Sequence, residues 1–187
     1  MNVHKLFLDF DAKIRLTDSK TKKLKSNRRI LRKKIRAYFK EQKWETPYFY
    51  SQGSFPIKTN LNPIKKTTDD GSIKEEYDLD DGVYFICSES ERKTTDAYHY
   101  RIKKAVEEHN IESVIDKTTC VRVIYADGHH IDLPSYWLEE DGNIPQLTHK
   151  VKGYIESDPK AFKDWVDNKI TNGFFNTVMV SISCFPF

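Results

Sequence analysis

The chain has 187 residues, of which 38% are hydrophobic and 32% charged, with a formal net charge of +3. That composition fits one globular domain, or one with appendages, and excludes collagen-like or broadly disordered chains. Cys87, Cys120 and Cys184 are scattered without CxxC or Cys/His spacing, which excludes a zinc module and suits a reducing compartment. Asp9 and Asp11 interrupt the N-terminal apolar stretch, so it lacks a signal peptide's apolar core, and no apolar run is long enough to span a bilayer. The expectation is a soluble cytoplasmic protein without a membrane partner.

Leu6, Phe7, Phe10 and Ile14 recur at helical spacing and predict an amphipathic helix over residues 3–16. A longer helix is predicted from Thr21 to Gln42, with Leu24, Ile30, Leu31, Ile35, Tyr38 and Phe39 on its apolar side. Between Lys20 and Lys43 twelve Lys and Arg residues face Glu41 alone, so the rest of this helix is basic. It is either a solvated face or a surface that attracts phosphate or RNA.

Thr46-Pro47 ends that helix, and Tyr48 to Gln52 reads as a short strand running into Gly53-Ser54. Residues 56–75 carry the Pro, Asn, Gly and Asp of a loop. Tyr77 to Ile86 is a strand with Leu79, Val83 and Phe85 on one face. Thr94 caps a helix running to about His109. Cys120 to Tyr125 and His129 to Leu133 are paired strands around an Asp127-Gly128 turn. Asp158 and Pro159 start a last helix carrying Phe162, Trp165, Val166 and Ile170. The order predicts an α+β fold with a mixed sheet and N-terminal helices.

The chemistry concentrates on aspartates. Asp78 and Asp80 are two apart, so on a strand both point to one face while Tyr77 and Leu79 anchor the other. Asp132 lies between Ile131 and Leu133, and a carboxylate in so apolar a strand must be paired, hydrogen-bonded or metal-bound. Hard divalent cations take carboxylate oxygens, and nucleotidyl transfer needs little else from a protein than such cations held at the phosphates. Gly53 lets backbone N–H groups approach a phosphate, and Ser54 adds a hydroxyl. Each motif has a plainer reading: Asp80-Asp81-Gly82 as a surface turn, Asp132 as a satisfied structural carboxylate. Their occurrence together, in this order, favours a metal-dependent nucleotide site.

His129-His130 next to Asp132 invites a zinc reading, but neighbouring strand residues face opposite ways, and only His130 shares the Asp132 face. A histidine at a hairpin edge is the preferred account. Trp44, Trp137 and Trp165 read as core. Ser135 has no partners for a nucleophilic triad.

Ser51-Gln52-Gly53-Ser54-Phe55, the run Asp78 to Phe85, and His130-Ile131-Asp132-Leu133-Pro134 resemble the bacterial cGAS/DncV-like nucleotidyltransferases (CD-NTases), in their DncV-like branch. The resemblance implies a polymerase-β-like nucleotidyltransferase core that joins ATP, GTP or other NTPs into cyclic di- or trinucleotides such as cGAMP for CBASS antiphage defence. It implies Asp78, Asp80 and Asp132 as catalytic Mg²⁺ (or Mn²⁺) ligands, and Gln52, Gly53 and Ser54 as nucleotide-binding residues. It makes NTPs the substrates and CBASS accessory proteins candidate partners. Nucleic acid at the basic helix 20–43 is the less favoured partner. The core is expected over residues 1–170. Residues 171–187 form an apolar tail where the family continues into a helical C-terminal lobe. An alternative reading is therefore a truncated, catalytically incompetent homologue that binds a nucleotide or a protein.

Overall fold

The computed structural model describes residues 3–67, 71, 73–107, 111–142 and 144–171. The elements in chain order are α1 (Val3–Ile14), α2 (Asp18–Glu41), β1 (Tyr48–Gln52), β2 (Lys65–Thr67), β3 (Ile73–Glu75), β4 (Asp78–Ile86), a single 3-10 turn (Glu89–Glu91), α3 (Thr95–Val106), β5 (Ser113–Asp116), β6 (Cys120–Ile124), β7 (His130–Leu138), β8 (Gln146–His149), β9 (Gly153–Glu156) and α4 (Pro159–Thr171). The main sheet runs β1-β4-β7-β6-β5, with β8 and β9 added beside β7. Strands β4 and β7 are parallel and every other pairing in it is antiparallel, so the sheet is mixed, as expected from the sequence.

Helix α2 forms because Leu24, Leu31, Ile35 and Phe39 fall on one stripe with no Gly or Pro between Asp18 and Glu41. Its end is set locally. Lys43 takes a left-handed φ of 57°, Trp44 donates its amide to the Phe39 carbonyl at 2.9 Å, and the Trp44 and Phe39 rings meet edge-on at 5.5 Å. This is the helix-terminating motif with its usual apolar contact, here with Lys in place of Gly. The stripe shares one buried core with Leu79, Val83 and Phe85 of β4 and with Ile131 and Leu133 of β7, and the Phe39 ring stacks on Phe85 at 5.7 Å. Helix α3 adds Tyr98, Ile102 and Val106 to the same core. Thr94 accepts the Ala97 amide at 3.3 Å and Asp158 the Ala161 amide at 2.9 Å, which confirms both predicted caps.

Several expectations change. The stretch 56–75 contains the β2–β3 hairpin, three residues a side, too short for a sequence pattern to register. Strand β7 continues through Pro134 to Leu138, past the Leu133 expected as its end. Helix α3 ends at Val106, before His109, which lies outside the described residues. Neither α1 nor α4 has a buried residue, and Trp165, expected in the core, is 54% exposed; Trp137 is buried, and Trp44 packs partly buried against the core. Amphipathic spacing specifies a face, not what covers it. The tail expected at 171–187 lies, Thr171 apart, outside the described residues. Among the described residues no helix is long and apolar enough to cross a membrane.

Candidate active site

The site is written into strand register. In the parallel β4–β7 pair Asp78 is opposite His130 and Asp80 opposite Asp132. Register partners point to the same face of a sheet, so the three predicted aspartates and His130 share one face, while Leu79, Ile131 and Leu133 point into the core beneath. The antiparallel β1–β4 pair sets Gln52 opposite Asp80. Beyond it Gly53 turns with φ +69°, and a Cβ there would lie 2.3 Å from the Asp80 Oδ2. The backbone at Gly53 therefore lies against the Asp80 carboxylate, a closeness only glycine allows.

Burial, then the charges of Asp78 and Asp132, push the Asp80 carboxyl up to about 7. Crowded carboxylates of this kind attract a cation. Asp132 has a different environment. Arg122, opposite it across β6–β7, donates Nε to Oδ1 and Nη2 to Oδ2, both at 2.7 Å. Among the described residues, no group of three His, Cys, Asp or Glu side chains stands at metal-holding spacing as the side chains lie. The donor types still fit a hard divalent cation: carboxylate oxygens on adjoining strands, one of them destabilised by its neighbours.

His130 adds a buried Nε2 that has no hydrogen-bond partner among the described residues and lies 3.8 Å from the Asp78 Oδ2. Burial, then the charge of Arg122, lowers its pKa. Gln52 donates Nε2 to the Tyr136 hydroxyl at 3.0 Å and leaves its Oε1 buried and unpartnered among the described residues. The Ser54 hydroxyl accepts from Asn60 Nδ2 at 2.8 Å. A cavity of about 250 Å³ opens between Ser54, Asn60, Asn62, Tyr77 and Asp78. A larger one of about 570 Å³ lies against Arg15, Lys25, Arg28 and Phe55, with Ser51 but none of the three aspartates in its wall. Asp78 and Ser54 in its wall, not size, mark the smaller one as part of the candidate site.

The neighbouring acid, Asp81, overturns the surface-turn reading of Asp80-Asp81-Gly82. All three residues lie inside β4, and Asp81 is fully buried on the opposite face. Arg32 of α2 closes on it with Nε–Oδ2 at 2.7 Å and Nη2–Oδ1 at 2.5 Å, and Ser51 donates to it at 3.1 Å. Part of the basic helix therefore serves the core and neither solvent nor phosphate. His129 is also fully buried, between the rings of Tyr77 and Tyr125, and bonded to Asp127 and to Asn27. Arg122 went unassigned in the sequence, although a signal existed. The Asp127-Gly128 turn sets the hairpin register, and counting back along it puts Arg122 opposite Asp132.

Residues 47–136 match the family of cyclic GMP-AMP synthase DncV-like proteins, nucleotidyltransferase domain, a span that encloses Gln52 through Asp132. A cyclic GMP-AMP synthase of Escherichia albertii is 29% identical over 126 residues, 64% of this chain and 26% of that protein. The cyclic dinucleotide synthase CdnG of Bradyrhizobium diazoefficiens is 32% identical over 130 residues, 63% of this chain and 28% of that protein. The Vibrio cholerae DncV cyclic AMP-GMP synthase, in complex with nonhydrolyzable GTP, superposes with a TM-score of 0.68 at 23% identity, over 88% of this chain and 60% of that one, a likeness of fold. The chain spans about a quarter of the length of the curated relatives it matches. Its sheet and register agree with that match: residues 47–136 are similar to the nucleotidyltransferase domain of the DncV-like CD-NTases, and the fold is the one that DncV has.

Proposed function

We propose that this core makes a cyclic dinucleotide from nucleoside triphosphates, with Asp78, Asp80 and Asp132 as its catalytic carboxylates. The observation that carries the reading is the register of Asp80 against Asp132, with the Gly53 backbone pressed on the same carboxylate. Gly53 and Ser54 would present a backbone N–H and a hydroxyl to the triphosphate, and Gln52 would hold the turn from beside them. Asp78, Asp80 and Asp132 would hold Mg²⁺ or Mn²⁺. When bound, the cation supplies positive charge to the phosphate oxygens in the transition state. The 3′-oxygen of one nucleotide attacks the α-phosphorus of another, the bond to pyrophosphate breaks, and the hydroxyl proton passes to Asp132. A second round in the opposite sense closes the ring.

The same reading extends to ATP and GTP as substrates, in keeping with the nonhydrolyzable GTP bound by the Vibrio cholerae relative, and to a cytoplasmic role in CBASS antiphage defence. The test has two tiers. Titration calorimetry with Mg²⁺ and a nonhydrolysable NTP should give binding that Asp80→Asn removes; equal binding by the variant would sink the site. Incubation with all four NTPs and chromatography of the products should give a cyclic dinucleotide from the wild type only. Binding without any product would instead support the nucleotide-binding module.

A further inference from the structure

We propose that Arg122 is a positioning residue acting through Asp132: it holds that carboxylate closed and must release it before a divalent cation can be shared between Asp80 and Asp132. The inference rests on the aspartate site proposed above. Three observations carry it. Arg122 occupies both oxygens of Asp132 in a planar fork, at 2.7 Å each, so neither stays free of it. Asp132 stands opposite Asp80 on one side and Arg122 on the other, so the same carboxylate faces both candidate partners. The pair is largely out of water, at 24% and 12% side-chain exposure, so solvent weakens it little.

A guanidinium cannot vacate the site by losing its proton, because it stays charged at any working pH. Release therefore requires the side chain to move, and the work of opening the pair is subtracted from the cation's affinity. A site whose competent form is a minority binds more weakly by that fraction. Removing the fork should tighten cation binding, opposite to what loss of a merely structural arginine would do. It should do so only while Asp132 is present.

The experiment is a calorimetric titration with Mn²⁺ alone, on wild type, Arg122→Gln and Arg122→Lys, each also in an Asp132→Asn background. Arg122→Gln is expected to bind Mn²⁺ roughly tenfold more tightly, a change that fits a competent fraction near a tenth. Arg122→Lys keeps the charge without the fork and is expected in between, and it serves if the glutamine variant does not fold. With Asn at 132 the two Arg122 variants should match their background. Affinity unchanged or weakened in both Arg122 variants, or a tightening that survives Asp132→Asn, would overturn the proposal. If wild type and Asp80→Asn give the same Mn²⁺ isotherm, the site itself fails and this inference with it. If Asp80→Asn loses binding while the Arg122 variants equal wild type, only the Arg122 role fails.

Discussion

Asp80→Asn should make the cation-free protein more stable, by an amount that grows with pH. The Asp80 carboxyl is raised from 3.8 to about 7 by burial and by the charges of Asp78 and Asp132. The folded protein therefore keeps this proton at a pH where the unfolded chain has lost it. Stability falls as pH rises from about 4 to about 7, because over that window the folded state binds more protons. At 1.36 kcal/mol per pH unit, the full effect is on the order of 4 kcal/mol, of which about 3 kcal/mol falls between pH 4.5 and 7.5. Asparagine has nearly the same shape and no charge to bury. Urea denaturation in EDTA, at several pH values across that range, would show wild type and Asp80→Asn close together at the acid end and diverging toward pH 7.5. Saturating Mn²⁺ should then recover stability in the wild type and not in the variant. Two stability–pH curves that run parallel would refute the reasoning, since they would mean Asp80 ionises at its ordinary pH and its neighbours do not crowd it.

Gly53→Ala must place a Cβ 2.3 Å from the Asp80 Oδ2 at a φ of +69°. It should cost about 1 kcal/mol in stability for the backbone alone and displace Asp80, weakening Mg²⁺–nucleotide binding by roughly tenfold or more in calorimetry. Asp81→Asn leaves Arg32 with no carboxylate at the α2–β4 contact, and Arg32→Met leaves Asp81 charged and fully buried. Each single change should cost about 3 kcal/mol by urea denaturation, and the double variant less than the sum, whereas additive losses would mean the two groups do not interact. Leu79→Ala empties a buried position between the two strand aspartates and should lower stability by about 2–5 kcal/mol, read as a drop in the urea midpoint at unchanged slope.

Much of the site is legible in the sequence because strand chemistry has a period of two. Asp78 and Asp80 had to share a face, Leu79 had to share the other, and an Asp-Gly turn after Cys120–Tyr125 had to fold the Asp132 strand back as its partner. The helix stripe Leu24, Leu31, Ile35 and Phe39 was equally readable, since all four positions are buried as their spacing requires. Local pattern fails where pairing is distant. Nothing near Asp81 signals that Arg32, 49 residues earlier, will neutralise it, and a basic helix reads the same whether its arginines face water, phosphate or a buried acid. The short β2–β3 hairpin and the proline-bearing end of β7 escaped for a related reason: three-residue strands carry no period, and Pro134 is tolerated only by its place in the finished sheet.

The sequence by itself therefore determined which residues could form a carboxylate site, because side-chain alternation along a strand is a property of the backbone and needs no tertiary partner. Only the tertiary structure decided how those carboxylates are charged and partnered. The parallel β4–β7 pairing buries Asp80 and crowds it between Asp78 and Asp132, raising its carboxyl, while the β6–β7 register gives Asp132 to Arg122. Electrostatic energy depends on distance and burial across strands, and neither exists until the sheet has formed.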